Sequence, residues 1–157
     1  MATPAPGEQT PAFEAEATDG KTISSEHLRG RPFVLYFYPR DNTPGCTAQS
    51  KDFRDRHAEF EHREVVVLGV SRDSLISHEK FRSKFGFPFD LISDRDETLC
   101  GLFDVIKQKN MYGKKVRGIE RSTFLCDSDG VLVREWRKVK IRGHVDEVLE
   151  AVEALER

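Results

Sequence analysis

The sequence predicts an α/β sandwich with a mixed central sheet, and three observations carry that reading. Two short, continuous apolar runs, residues 33–38 and 65–71, have the length and the β-branched or aromatic content of strands buried on both faces. Each is followed by a segment with helical length and spacing, so strands alternate with helices. Near the C-terminus, residues 122–126 and 131–136 bracket the turn residues Asp127 to Gly130, and this hairpin interrupts the alternation.

Each element follows from local chemistry. Residues 1–12 carry Pro4, Pro6 and Pro11 and form an extended lead-in. Thr18-Asp19-Gly20 is a turn signal between residues 13–17 and 21–23, which predicts a small N-terminal hairpin. Residues 25–28 suit one helical turn before Gly30. The strand at 33–38 stops at Pro39. The spacing over 45–61 predicts one long, highly charged helix with Ala48, Phe53 and Phe60 as its apolar contacts, so it should be largely exposed. A helix over 77–85 is stopped by Gly86 and Pro88. Residues 91–93 form a short strand, and Asp94 or Asp96 caps a helix running to Phe103. Residues 107–121 show no period and set six basic residues against the single acid Glu120, which reads as a solvated loop. The last helix is the clearest: Val145, Val148, Leu149, Val152 and Leu155 share one face.

The length suits one domain over residues 1–157. With 25 basic and 27 acidic residues there is no global field for nucleic acid or an anionic membrane. No apolar run approaches the roughly 18 residues of a membrane span. The N-terminus has neither a basic nor an apolar targeting segment, so the expected location is the cytoplasm.

The three cysteines, Cys46, Cys100 and Cys126, are odd in number and far apart, without a Cys-x-x-Cys pair. Neither a disulfide scaffold nor a zinc site is indicated, and no metal or other cofactor is expected. Cys46 stands where the 33–38 strand hands over to a helix. The first amides of a helix have no intrahelical acceptors and its dipole places positive charge there, so a thiolate is favoured. The thiolate is the nucleophile, yet an ordinary thiol with pKa about 8.5 is only ~3% ionised at neutral pH. A helix terminus supplies about 0.3–2 kcal/mol, against about 1.4 kcal/mol per pKa unit. A fixed cation is therefore wanted as well. A cysteine hydrolase would need a nearby histidine. His57 and His62 lie too far along the helix, and His27, His78 and His144 have no orienting pattern and read as solvated or capping residues.

Residues 36–47, Tyr-Phe-Tyr-Pro-Arg-Asp-Asn-Thr-Pro-Gly-Cys-Thr, followed by Asp52-Phe53-Arg54, resemble the Pro-x-x-x-Thr-x-x-Cys signature of the peroxiredoxins. The likeness is to the bacterioferritin comigratory protein or peroxiredoxin Q subfamily and extends to residues 68–74, 121–125 and 136–140. It implies a thioredoxin-like fold and a thiol peroxidase acting on hydrogen peroxide and organic hydroperoxides. In that scheme Cys46 attacks the peroxide and becomes a sulfenic acid, Arg121 supplies the fixed cation, Thr43 aligns the peroxide and Pro39 shields the sulfur. Gln49, where the subfamily usually has glutamate, and Arg40 are supporting candidates; Arg40 reads equally well as a solvated loop residue.

The subfamily's resolving cysteine stands five residues after the first or in the next helix. Here those places hold Lys51 and residues 81–83, Phe-Arg-Ser. Cys100 and Cys126 fall in apolar settings and read first as small buried hydrophobes. The expectation is a one-cysteine cycle in which an external thiol, namely thioredoxin, glutaredoxin or glutathione, reduces Cys46 in a monomeric protein. A two-cysteine cycle with Cys100 resolving is one alternative. The other is a redox sensor that oxidises once at Cys46 and binds a partner. Residues 47–49, Thr-Ala-Gln, exclude a thioredoxin-type second thiol.

Overall fold

The computed structural model describes residues 3–155. An N-terminal hairpin pairs β1 (Glu14–Glu16) with β2 (Thr22–Ser24) through a single 3-10 turn, Thr18–Gly20, and leads into α1 (Ser25–Leu28). There follow β3 (Phe33–Phe37), α2 (Pro44–Asp55), α3 (His57–His62), β4 (Val66–Ser71), α4 (Leu75–Phe85), β5 (Asp90–Ser93) and α5 (Thr98–Leu102). A second hairpin joins β6 (Ile106–Met111) to β7 (Lys114–Ile119), and β8 (Ser122–Cys126), β9 (Leu132–Trp136) and α6 (His144–Leu155) complete the chain.

The main sheet has the order β5-β4-β3-β8-β9. β3, β4 and β5 are parallel, whereas β8 runs antiparallel to β3 and to β9. The sheet is therefore mixed, and helices cover both faces. Alternation along β3 sorts the interior into two cores. Val34 and Tyr36 point to the face covered by Phe53 of α2, Phe60 of α3 and Val145, Val148, Leu149 and Val152 of α6. Phe33, Leu35 and Phe37 point to the other face, with Leu99, Phe103, Val105 and Phe124. Tyr36 fixes α2 on its face: its ring stacks on Phe53 at 4.5 Å between centroids and its hydroxyl donates to Ser50 Oγ at 3.0 Å. Gly69 makes room for that ring, since a Cβ there would lie 2.8 Å from Tyr36.

Several expectations need correction. The long helix over 45–61 is two helices, because Arg56 leaves helical geometry at φ −106, ψ 5. The break directs the Arg56 guanidinium to Glu59 and Asp146 and sets the His57 ring 5.8 Å from Phe89. Residues 107–121 are not a loop but chiefly the β6–β7 hairpin. Its turn, Tyr112-Gly113, has positive φ at both residues (52 and 79), the geometry whose twist matches paired strands. The α4 helix starts two residues earlier than expected because the Ser74 hydroxyl caps it, accepting from Ser77 N. Of the two capping candidates for α5, Asp94 acts, accepting from the amides of Leu99 (3.0 Å) and Cys100 (2.8 Å). The lead-in, expected to be extended, makes a turn at Pro6-Gly7, where Glu8 N donates to Ala5 O at 2.9 Å and Gly7 has φ 93, and it meets the start of β9, with Gly7 N donating to Leu132 O at 2.7 Å and Leu132 N to Glu8 O at 2.9 Å; residues 1 and 2 lie outside the described part.

Candidate active site

The site grows out of the end of β3. Beyond Phe37 the chain leaves the C-terminal end of the central strand, passes Pro39, turns through Asn42 with φ 62, and enters α2 at Pro44. Proline at the first helical position suits an amide that has no acceptor there in any case. Cys46 is the third residue of α2 and is 1% exposed. The first ordinary helical bond of α2 runs from Thr47 N to Thr43 O (2.9 Å), and the amides of Gly45 and Cys46 have no acceptor among the described residues. The helix start thus presents free donors beside a buried sulfur.

Arg121 reaches this sulfur from the segment between β7 and β8. Its Nη2 lies 3.4 Å from Cys46 Sγ and its Nη1 donates to Gln49 Oε1 at 2.6 Å. One planar guanidinium therefore bridges two residues three apart on the same helix, which is the spacing that puts both on one face. Gln49 is fully buried, and its Nε2 has no hydrogen-bond partner among the described residues. Gly45 leaves space for the guanidinium: a Cβ there would sit 3.3 Å from Arg121 Nη2 and 3.4 Å from Ile141.

Thr43 occupies the N-cap position without capping, and its hydroxyl donates to the Arg40 carbonyl at 2.9 Å. With its proton committed, that oxygen retains lone pairs for an incoming donor. Arg40 is exposed and its guanidinium has no partner among the described residues; its contribution is this carbonyl. Pro39 is half-buried and shares with Arg121 the wall of an open cavity. Cys46, Gln49 and Arg121 thus meet directly, Thr43 and Pro39 flank them, and the Arg40 side chain stays outside.

The preceding loop is held by a network that the sequence did not single out. Asp41 is 7% exposed and accepts from Tyr38 Oη (2.6 Å) and Ser77 Oγ (2.8 Å), while its carboxylate faces His78 Nδ1 at 2.7 Å. Its amide donates to Asp73 at 2.9 Å. Asp41, Asp73 and His78 bring three potential ligand atoms within 4.8 Å of one another, but each is already committed to this network. His78 is fully buried, as is His144 at 3% exposure, so neither is the solvated or capping histidine expected. His144 Nε2 lies 2.8 Å from Thr123 Oγ1, and burial, helped by Arg121 and Arg134, lowers the ring to about 4. Thr123 can donate to the neutral ring.

The other two thiols are unlike Cys46. Cys100 and Cys126 belong to the core on the opposite face of the sheet. Burial, then the Asp94 carboxylate, pushes the Cys100 thiol far above its ordinary range. Burial, then Asp127, pushes Cys126 up to about 12.

Comparison with known proteins decides what this geometry belongs to. The model of the AhpC/TSA family matches residues 6–135. Peroxiredoxin Bcp of Xanthomonas campestris is 57% identical over 80% of this chain and 78% of its own length, and Peroxiredoxin Bcp of Bacillus subtilis is 46% identical over 93% of each. This chain is a peroxiredoxin of the AhpC/TSA family. Among solved structures, PrxQ of Xylella fastidiosa, as a cysteine-to-serine variant, superposes with a TM-score of 0.93 at 40% identity over the whole of both chains. The bacterioferritin comigratory protein of X. campestris, studied for its alkyl peroxide reduction activity, gives 0.88 at 49% identity over 92% of each. The peroxiredoxin therefore has the thioredoxin-like fold of these relatives and is a thiol peroxidase. Among its described residues, no helix is long and apolar enough to cross a membrane.

Proposed function

We propose that this peroxiredoxin reduces hydrogen peroxide and organic hydroperoxides by a one-cysteine cycle centred on Cys46. The Cys46 thiolate attacks the near oxygen of the peroxide, the O–O bond breaks, and the far oxygen leaves with a proton as water or alcohol. Cys46 is left as a sulfenic acid. Arg121 holds the sulfur and the peroxide together, and the Cys46 amide stabilises charge developing on oxygen. Thr43 accepts the peroxide hydrogen, and Pro39 screens the sulfur from solvent. Gln49 is a positioning residue that fixes Arg121.

An external thiol then condenses with the sulfenic acid, releasing water, and a second thiol cleaves the mixed disulfide to restore the Cys46 thiolate. The observation that carries this reading is the division of the thiols by the sheet: Cys46 lies in one core, Cys100 and Cys126 in the other, all three unpaired. The same division argues against Cys100 as resolver. The protein acts as a monomeric, single-domain enzyme of the cytoplasm. Peroxide consumption driven by an external thiol tests the reading. Many turnovers per chain are expected for the wild type and for Cys100→Ser, and none for Cys46→Ser. A single turnover by the wild type would favour a sensor, and full activity in Cys46→Ser would overturn the assignment.

A further inference from the structure

The peptide unit between Arg40 and Asp41 has its two polar ends tied to different places. Its carbonyl accepts from Thr43 Oγ1 at 2.9 Å, and its amide donates to Asp73 Oδ2 at 2.9 Å. A trans peptide is planar and points its C=O and N–H in opposite directions, so the direction of one end sets that of the other. Asp73, on the connection between β4 and α4, therefore reaches the Thr43 hydroxyl through one rigid unit.

Both flanks of that unit are braced. Asp73 Oδ2 also accepts from Ser71 Oγ at 2.5 Å, and the Asp73 carbonyl accepts from Ser93 Oγ at 2.7 Å, which ties this residue to the ends of β4 and β5. The Asp41 carboxylate accepts from Tyr38 and Ser77 and faces the His78 ring, whose Nε2 lies 2.9 Å from Ile92 O. A carbonyl can only accept, so Nε2 carries a proton and the ring is held at both nitrogens. The groups around the sulfur are separate: Arg121 makes its side-chain bonds to Gln49 and to Cys46. Of the Thr43 hydroxyl, one proton and two lone pairs are available. While the proton rests on the Arg40 carbonyl, the oxygen meets an incoming peroxide as an acceptor; a tilted peptide releases the rotor, and the hydroxyl turns its proton into the site.

We propose that Asp73 is a positioning residue for the peroxide: through the Arg40–Asp41 peptide it keeps the Thr43 hydroxyl turned as an acceptor, while Asp41 and His78 steady the other side of that peptide. This rests on the reading above in which Thr43 accepts the peroxide hydrogen. Asp73 thereby serves the alignment of the substrate and not the activation of the thiolate, which belongs to Arg121 and the start of α2.

Two rates measured on the same proteins separate those tasks: kcat/KM for hydrogen peroxide, which needs Thr43, and the second-order rate of Cys46 alkylation by iodoacetamide, which needs only the thiolate. Asp73→Ala should lower the first by about tenfold or more, because misplacing a substrate-aligning group is costly, and should leave the second within about twofold. Asp73→Asn keeps an oxygen for the Asp41 amide and should recover most of the loss. In a Thr43→Val background Asp73→Ala should cost nothing further, since the group it orients is gone. Equal losses in both rates, or losses that multiply in the double variant, would make Asp73 a general support of the loop and overturn the proposal. If circular dichroism shows Asp73→Ala unfolded, Ser71→Ala takes its place: losing the hydroxyl that braces Asp73 should lower kcat/KM for peroxide by about threefold with alkylation unchanged, and an unchanged kcat/KM would overturn the proposal. Thr43→Val alone reads the assignment beneath it. Full peroxide activity there would sink both, whereas a loss there with none in Asp73→Ala would sink this inference alone.

Discussion

The two faces of the central sheet hold thiols of the same intrinsic chemistry in opposite surroundings. Cys46, Cys100 and Cys126 are all buried, at 1%, 0% and 0% exposure. On one face the sulfur meets the Arg121 guanidinium at a helix start. On the other, Cys100 lies beside the Asp94 carboxylate and Cys126 near Asp127. Burial is common to all three, so it cannot make a cysteine reactive; the sign of the nearest charge and the free helix amides distinguish the faces.

That contrast is broken first by labelling. Cys126 raised from 9.0 to about 12 has roughly a thousandfold less thiolate than an ordinary thiol. Iodoacetamide on the native chain near neutral pH should modify Cys46 alone, with Cys100 and Cys126 reacting only after unfolding, as read by peptide mass spectrometry. Next comes the cation. Arg121→Ala should lower kcat/KM for peroxide by about 10²–10³, the range for losing one oriented donor. Arg121→Lys should recover little, because an ammonium cannot bridge both Cys46 and Gln49 as the fork does.

A third perturbation concerns stability on the Cys46 face. The His144 ring is held neutral at about 4 in the fold and returns to 6.5 when unfolded. Between those values the unfolded chain binds the extra proton, so stability is full above about pH 6.5 and falls as pH drops towards 4, by about 3 kcal/mol. Urea melts of His144→Gln against the wild type should show a shallower loss over that window. The smallest effect is expected from Gly45→Ala. Its methyl would meet Arg121 Nη2 at 3.3 Å, and a shifted guanidinium should cost about tenfold in kcat/KM for peroxide, measured with the fold intact by circular dichroism.

What was legible in the sequence follows the same physics. β3, β4 and α6 announced themselves because burial on both faces, or on one stripe, leaves a pattern in the residues. Cys46 at the strand-to-helix junction was readable for the same reason. The β6–β7 hairpin was not: most of its described side chains on both faces are exposed, so no alternation marks it, and Tyr112-Gly113 is a weaker turn signal than Asn-Gly. The break at Arg56 carries neither glycine nor proline. The Asp41 network unites residues 38, 41, 73, 77 and 78, which only the parallel pairing of β3 with β4 brings together. Gln49 was a supporting candidate along the chain, and its direct partner is seen only where Arg121 crosses to α2.

The central claim is that Cys46 reacts alone on its face of the sheet, and the species formed after one equivalent of peroxide tests it most directly. Peptide mapping under non-reducing conditions, with dimedone present as a sulfenic acid trap, should find the adduct on Cys46 and free thiols at Cys100 and Cys126. A stoichiometric disulfide between Cys46 and Cys100 or Cys126 would contradict the account.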